Sequence, residues 1–125
     1  MVDVGAKAVT SRRARATCSV HLGAELMTQL EEEGFQSRKG SVIGTAVLAG
    51  IMAAKQTSSL IPLCHPLPLD KCDVQIEPVG NSALRVECEC ATSSRTGVEM
   101  EALTGASVAA LTIYDMCKGA NPSIE

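Results

Sequence analysis

The chain has 125 residues, a length that suits a single domain burying roughly two thirds of its unfolded surface and folding without staples. With a formal net charge of −3, no long basic run, one Tyr, one Phe and no Trp, it offers nucleic acid neither a cationic track nor stacking platforms, which excludes nucleic-acid binding as its main task. No run reaches the roughly 18 unbroken apolar residues of a membrane span and no signal peptide is visible, so the expectation is a soluble domain with no membrane partner.

Residues 13–20 alternate, with Ala14, Ala16, Cys18 and Val20 on one face and Arg13, Arg15, Thr17 and Ser19 on the other, the period of a half-buried strand with a cationic outer face. Gly23 and Gly34 bracket a short amphipathic helix that turns Leu26, Met27 and Leu30 inward. Its acidic end, Glu31 to Glu33, is expected to be a solvated face without a functional role. A second helix starts after Arg38, Lys39 and Gly40 with Ser41 as its N-cap and runs through VIGTAVLAGIMAAK. It is small and apolar nearly all round, which makes it central to the fold. Gly44 and Gly50 each cost that helix about 1 kcal/mol relative to Ala, and close packing against a neighbour or ligand is the expected compensation. Lys39 lies at the wrong end of the helix dipole unless an anion sits there, so Lys39 and the free N–H groups beside it are a candidate phosphate pocket. The run lacks the GK[ST] order of a Walker loop.

Residues 58–70, SSLIPLCHPLPLD, are expected to follow an extended path because of their three prolines. They carry His65, which is either a packed loop residue or a positioned acid/base or phosphate ligand. Residues 72–77 and 84–90 alternate with Cys72, Val74, Ile76, Leu84, Val86, Cys88 and Cys90 inward, and Val79 to Ser82 supply the turn of a β-hairpin. The charges on its other face are the ordinary pairs of a solvated sheet or of an intersubunit surface. The six cysteines contain no CxxC and no tetrahedral zinc spacing, and are expected to be reduced core residues with no metal.

Residues 97–118, GVEMEALTGASVAALTIYDMCK, form a long apolar helix with no charge between Glu101 and Asp115. Glu99 and Glu101 suit the positive end of its dipole, whereas Asp115 opposes the negative end and is expected to pair with Lys118 three residues on. Glu101 and Asp115 lie on nearly one face about 21 Å apart along the helix, too far for one chain to bring both to one small substrate. A second copy packed antiparallel would bring Glu101 of one subunit to Asp115 and Lys118 of the other, a site built across a dimer interface. The simpler reading is a core helix adapted to its dipole. The element order gives an α+β layer fold, an antiparallel sheet with helices on one face.

IPLCHP at 61–66, TGVEMEALT at 96–104 and LTIYDMCK at 111–118 closely resemble the cyclic pyranopterin monophosphate synthase family, the MoaC proteins of molybdenum cofactor biosynthesis. MVDVGAK at the start, TSRRARA at 10–16, KGSVIGTAVLAGIMAAK at 39–55 and the hairpin fit as well, so the resemblance covers 1–125 as one synthase domain. It implies a ferredoxin-like α+β fold, a hexamer built as a trimer of dimers, and active sites at the dimer interface. Family members convert 3′,8-cyclo-7,8-dihydroguanosine 5′-triphosphate to cyclic pyranopterin monophosphate and release pyrophosphate.

That resemblance assigns Asp115, Lys118, Lys39, His65 and Glu101 to catalysis, with Asp115 the acid/base tuned by Lys118. It assigns Leu63, Cys64, His65, Met100, Glu101, Arg12 and, more loosely, Glu99 to substrate binding. Arg38 helps only to draw in the triphosphate. The chemistry implies no required cofactor and leaves Mg²⁺ accompanying the triphosphate as an option; no metal ligand is assigned. The compartment would be cytoplasmic in a bacterium and the mitochondrial matrix in a eukaryote. Family members usually continue into a last strand and a Lys- and Gly-rich tail where this sequence reads NPSIE, so the expectation is a C-terminally incomplete domain whose sheet lacks its fourth strand. The competing reading, from a different class, is a non-catalytic oligomeric ferredoxin-like module that binds a small anionic ligand. A carboxylate such as Asp115 beside a polyanion counts against it.

Overall fold

The computed structural model describes residues 1–125. Along the chain run β1 (Thr10–His21), α1 (Ala24–Glu32), β2 (Gln36–Ser37), β3 (Gly40–Ser41), α2 (Val42–Lys55), α3 (Thr57–Leu60), β4 (Lys71–Val79), β5 (Ala83–Ser94) and α4 (Glu99–Cys117). The main sheet is antiparallel in the order β1-β5-β4, and the buried helices α2 and α4 cover one of its faces. This is the expected α+β layer fold. None of the helices is long and apolar enough to cross a membrane.

The inner face of the sheet is the one its alternation predicts. Ala16, Val20, Val74, Leu84, Val86, Cys88 and Cys90 are buried there, and Ala14, Cys18, Cys72 and Ile76 pack against them half-buried. All three long strands extend beyond the stretches that alternate most clearly, because the ladder pairs Thr10 with Ser94 and Lys71 with Ala91 at ends where side chains alone give little signal. His21 and Glu125 exchange backbone hydrogen bonds in both directions at 2.6 and 3.1 Å, an antiparallel pairing beside the end of β1.

The helix layer is set by glycine. A Cβ on Gly50 of α2 would lie 2.9 Å from the carbonyl oxygen of Gly105 in α4 and 3.1 Å from Ala109 Cβ. A Cβ on Gly105 would meet Cys88 Sγ at 2.6 Å. Helices with no side chain at their crossing point approach backbone to backbone, and that offsets the intrinsic penalty of glycine. Gly44 departs from the expectation: it is exposed on the first turn of α2, where a Cβ would meet only the capping Ser41 side chain. Ser41 is the N-cap, accepting a hydrogen bond from Gly44 N at 3.1 Å.

Two expectations are corrected. Residues 58–60 belong to the helical turn α3 rather than to an extended segment, and a further turn, closed by Cys64 N donating to the Ile61 carbonyl at 3.2 Å, follows before the chain straightens from Cys64. The prolines stand at 62, 66 and 68, so their restriction on the preceding residue first acts at Ile61 and leaves the turn before it free to coil. The outer sheet face is not uniformly solvated either. Glu89, on central β5, is only 8% exposed and takes charge-assisted hydrogen bonds from Arg15 at 2.7 Å and Lys71 at 2.8 Å, one from each flanking strand.

Replacing Gly50 by Ala should destabilise the protein by about 1–2 kcal/mol, because overpacking against a backbone carbonyl outweighs the better helix propensity of alanine. Urea unfolding of both proteins measures this, and an unchanged or raised midpoint would contradict the close crossing.

Candidate active site

Lys39 reaches its position through a tight hairpin. Gln36 pairs with Ser41 and Ser37 with Gly40, which leaves Arg38 and Lys39 as a two-residue loop. Neither Arg38 nor Lys39 has a positive φ; the glycine that follows them, Gly40, takes a φ of 108°, and Ser37 Oγ accepts from Lys39 N at 3.1 Å. The loop aims Lys39 across the molecule at the last turn of α4. Its Nζ donates to Asp115 Oδ2 at 2.8 Å and to the Asp115 carbonyl at 3.3 Å, while Lys118 Nζ lies 3.0 Å from Asp115 Oδ1. The expected Asp115–Lys118 pair is present. The expected anion pocket at the start of α2 is replaced by a different arrangement, in which Lys39 leaves its own helix start and serves the negative end of α4.

Asp115 thus has one ammonium on each carboxylate oxygen. Those hydrogen bonds, from Lys39 first and Lys118 second, hold its carboxyl below the usual aspartate range, so at neutral pH it is ionised. The cluster lines a cavity of about 650 Å³ shared with Gln29 of α1, Glu33 just past its end and Gln36 of β2. That volume falls within the range of small-molecule sites. Glu33 was expected to face solvent without a role, and Gln29 and Gln36 carried no signal at all. Only the path of the chain from α1 into the hairpin brings them here.

The other candidate residues gather at the opposite end of α4. Glu101 is 2% exposed and its Oε2 has no hydrogen-bond partner. Burial foremost, with the nearby Glu99 charge adding to it, raises its carboxyl above the usual range. The loop after α3 brings Cys64 close enough for burial first and the Glu101 charge second to raise its thiol. Leu63 and His65 flank Cys64, Leu63 exposed and His65 half-buried. The hydroxyl of Thr92 donates to the Pro68 carbonyl and fastens this loop to β5. Met100 and Glu99 are exposed, and the Glu99 carboxylate folds back over Gly97 into space that a Cβ would occupy. Arg12 donates to the carbonyls of Ser94 and Ala8, at the end of the sheet from which β5 leads into α4.

Within one chain the candidate residues therefore fall into two separate groups: Lys39, Asp115 and Lys118 at the C-terminal end of α4, and Glu101 with the Cys64–His65 loop at its N-terminal end. The separation along the helix is the roughly 21 Å expected from 14 residues.

Because the folded state raises the Glu101 pKa above its unfolded value, the protonated form is compatible with folding below about pH 4, and stability is lost as pH climbs through the folded value. Glu101→Gln should therefore be more stable than the parent at neutral pH, with the difference closing on acidification. Urea midpoints measured between pH 4 and 7 test this; a difference independent of pH would show that Glu101 is not a buried, unpaired carboxylate.

The MoaC family model matches residues 1–125. A protein of Xanthomonas oryzae pv. oryzae named cyclic pyranopterin monophosphate synthase is 52% identical over 124 residues, covering 99% of this chain and 75% of that protein. Its namesake in Xanthomonas campestris pv. campestris strain 8004 is 55% identical over 118 residues, covering 94% and 72%. Another in Listeria welshimeri serovar 6b is 50% identical over 118 residues with the same coverage. On the strength of that full-length match the chain belongs to the MoaC family.

Proposed function

We propose that the chain is a cyclic pyranopterin monophosphate synthase, converting 3′,8-cyclo-7,8-dihydroguanosine 5′-triphosphate to cyclic pyranopterin monophosphate with release of pyrophosphate, an early step of molybdenum cofactor biosynthesis. The observation that carries the reading is one carboxylate clamped between two lysines on the wall of a cavity sized for a nucleotide. Without ligand, Lys39 and Lys118 neutralise Asp115 and keep it deprotonated. An arriving triphosphate competes for the same ammonium groups, and their charge also stabilises departing pyrophosphate. As the lysines turn to phosphate, Asp115 loses its clamp and its proton affinity rises, which suits a base in the ring opening and closure. Glu101, already raised by burial, is the matching acid. Arg12 and His65 add cationic donors for the triphosphate, while Leu63, Cys64, Met100 and, more loosely, Glu99 line the pocket around the pterin and sugar. The reaction so written rests on proton transfer and charge neutralisation, so it needs no resident cofactor, and any Mg²⁺ arrives with the triphosphate.

The two groups meet only if a second copy supplies the missing one. Support comes from α4, which exposes Met100, Leu103, Leu111 and Tyr114 along one stripe, with Leu48 and Met52 exposed on α2. Covering such apolar residues is a strong incentive for self-association. An antiparallel dimer through this layer places Glu101 of one protomer at Asp115 of its partner, and three such dimers make the hexamer. The working compartment is the cytoplasm in a bacterium and the mitochondrial matrix in a eukaryote. The binding-module alternative is not favoured, because a carboxylate at the centre of the cationic cluster weakens anion binding and serves only turnover.

Asp115→Asn should lower pyrophosphate release about 10²–10⁴-fold while leaving substrate binding intact or tighter, as calorimetry would show; unchanged turnover would overturn the mechanism. Mixing inactive Asp115→Asn and Glu101→Gln proteins should restore about one quarter of parental activity, since half of randomly assorted dimers carry one intact composite site of two. Absence of any recovery on mixing would mean that each chain works alone.

A further inference from the structure

Three thiols meet on the inner face of the sheet, and none of them is among the candidate site residues. Cys72 of β4 lies directly opposite Cys90 of β5, and Cys88 is the next inward residue along β5. Cys88 Sγ and Cys90 Sγ are 3.8 Å apart, Cys90 Sγ and Cys72 Sγ are also 3.8 Å apart, and all three sulfurs lie within 4.8 Å of one another. A point equidistant from three such atoms lies about 2.2 Å from each if the third side is also 3.8 Å, and about 2.5 Å if it is 4.8 Å. Metal–thiolate bonds of about 2.3 Å fall inside that interval.

The surroundings fit a soft cation. Cys88 and Cys90 are fully buried, and Cys88 Sγ is seated against the bare backbone of Gly105. Cys72 is half-buried and lines a second cavity of about 450 Å³, together with Ile51, Lys55 and Leu67, which gives an ion a way in and places a cationic side chain near the thiolates. The group holds three donors, one short of the tetrahedral set of a structural zinc site, and all three are sulfur. Thiolate-only coordination selects the softest available ions, Cu(I) foremost.

We propose that Cys72, Cys88 and Cys90 form a trigonal thiolate site for Cu(I), entered past Cys72. Each ligating thiol passes its proton to solvent as the ion enters, and no electron changes hands.

The test titrates the reduced, metal-free full chain with Cu(I) under anaerobic conditions against a coloured Cu(I) chelator. One ion per chain should be retained, and X-ray absorption should give three sulfur neighbours at about 2.2–2.3 Å. Cys72→Ser and Cys90→Ser should each weaken retention at least about 100-fold, while Cys117→Ser, a buried thiol elsewhere in the core, should leave it unchanged. Should Cys90→Ser fail to fold, the half-buried Cys72→Ser still decides the matter. Release of all copper to the chelator, equal retention by the Cys72→Ser protein, or preference for Zn(II) in four-coordinate geometry would each overturn the site.

Discussion

The crossing of α2 and α4 at Gly50 and Gly105 is the constraint on which the rest of the fold depends. With one Phe, one Tyr and no Trp, the chain cannot fill a wide gap between its layers, so its elements must come close. Two glycines facing each other let the helices meet backbone to backbone, and Ala46, Ala54, Ala102, Ala106 and Ala109 continue the same thin layer. The consequence for function is positional. Held by α2 and the sheet along its length, α4 acts as a rigid ruler that fixes where Glu101 and Asp115 can be.

Those two carboxylates are pushed in opposite directions by environments that share only a helix. Glu101 is buried without a partner and holds its proton more firmly, whereas Asp115 stands between two ammonium groups and gives its proton up. Pairs of acids separated in this way are how one site runs acid and base chemistry at a single pH. A lone chain has the pair but not the proximity, which is what the proposed antiparallel dimer would supply.

Much of this was legible in the sequence, and what was not has a physical reason. Alternation in β1 and β5 and the spacing of Leu26, Met27 and Leu30 reported the core faces correctly, because burial acts on every second or every third to fourth residue. Ser41 announced its helix through its own side chain. The Asp115–Lys118 pair was visible because it is local. Lys39 was not seen to join it, since 76 residues separate Lys39 from Asp115 and no periodicity spans a hairpin loop and a helix end. Gln29 and Glu33 were hidden for the same reason, since each depends on which elements become neighbours; the three thiols already shared the inward face of the expected hairpin, and only the register that sets Cys72 opposite Cys90 was missing. For His65 the local sequence left a packed loop residue and a positioned acid/base both open, and family resemblance alone favoured the second, as it alone suggested a role for Arg12.

Register in the sheet is determined from both sides at once. Glu89 and Cys90 are successive residues of β5 that point to opposite faces, the carboxylate toward Arg15 and Lys71 and the thiol toward Cys72 and Cys88. The two lysine and arginine partners hold the Glu89 carboxyl at about 2, far below the usual range, so the ion pairs persist through ordinary acidity. A slip of one residue would put that carboxylate into the apolar core and turn the thiols outward to solvent, exchanging every side chain of the strand between faces. Such an alternative loses the charge-assisted bonds and buries an unpaired charge together, so neither β1 nor β4 has a competing alignment against the central strand. The alignment that seats Cys88 beneath Gly105 is therefore the same one that anchors the outer face, and through it the sheet fixes the depth at which α4 lies.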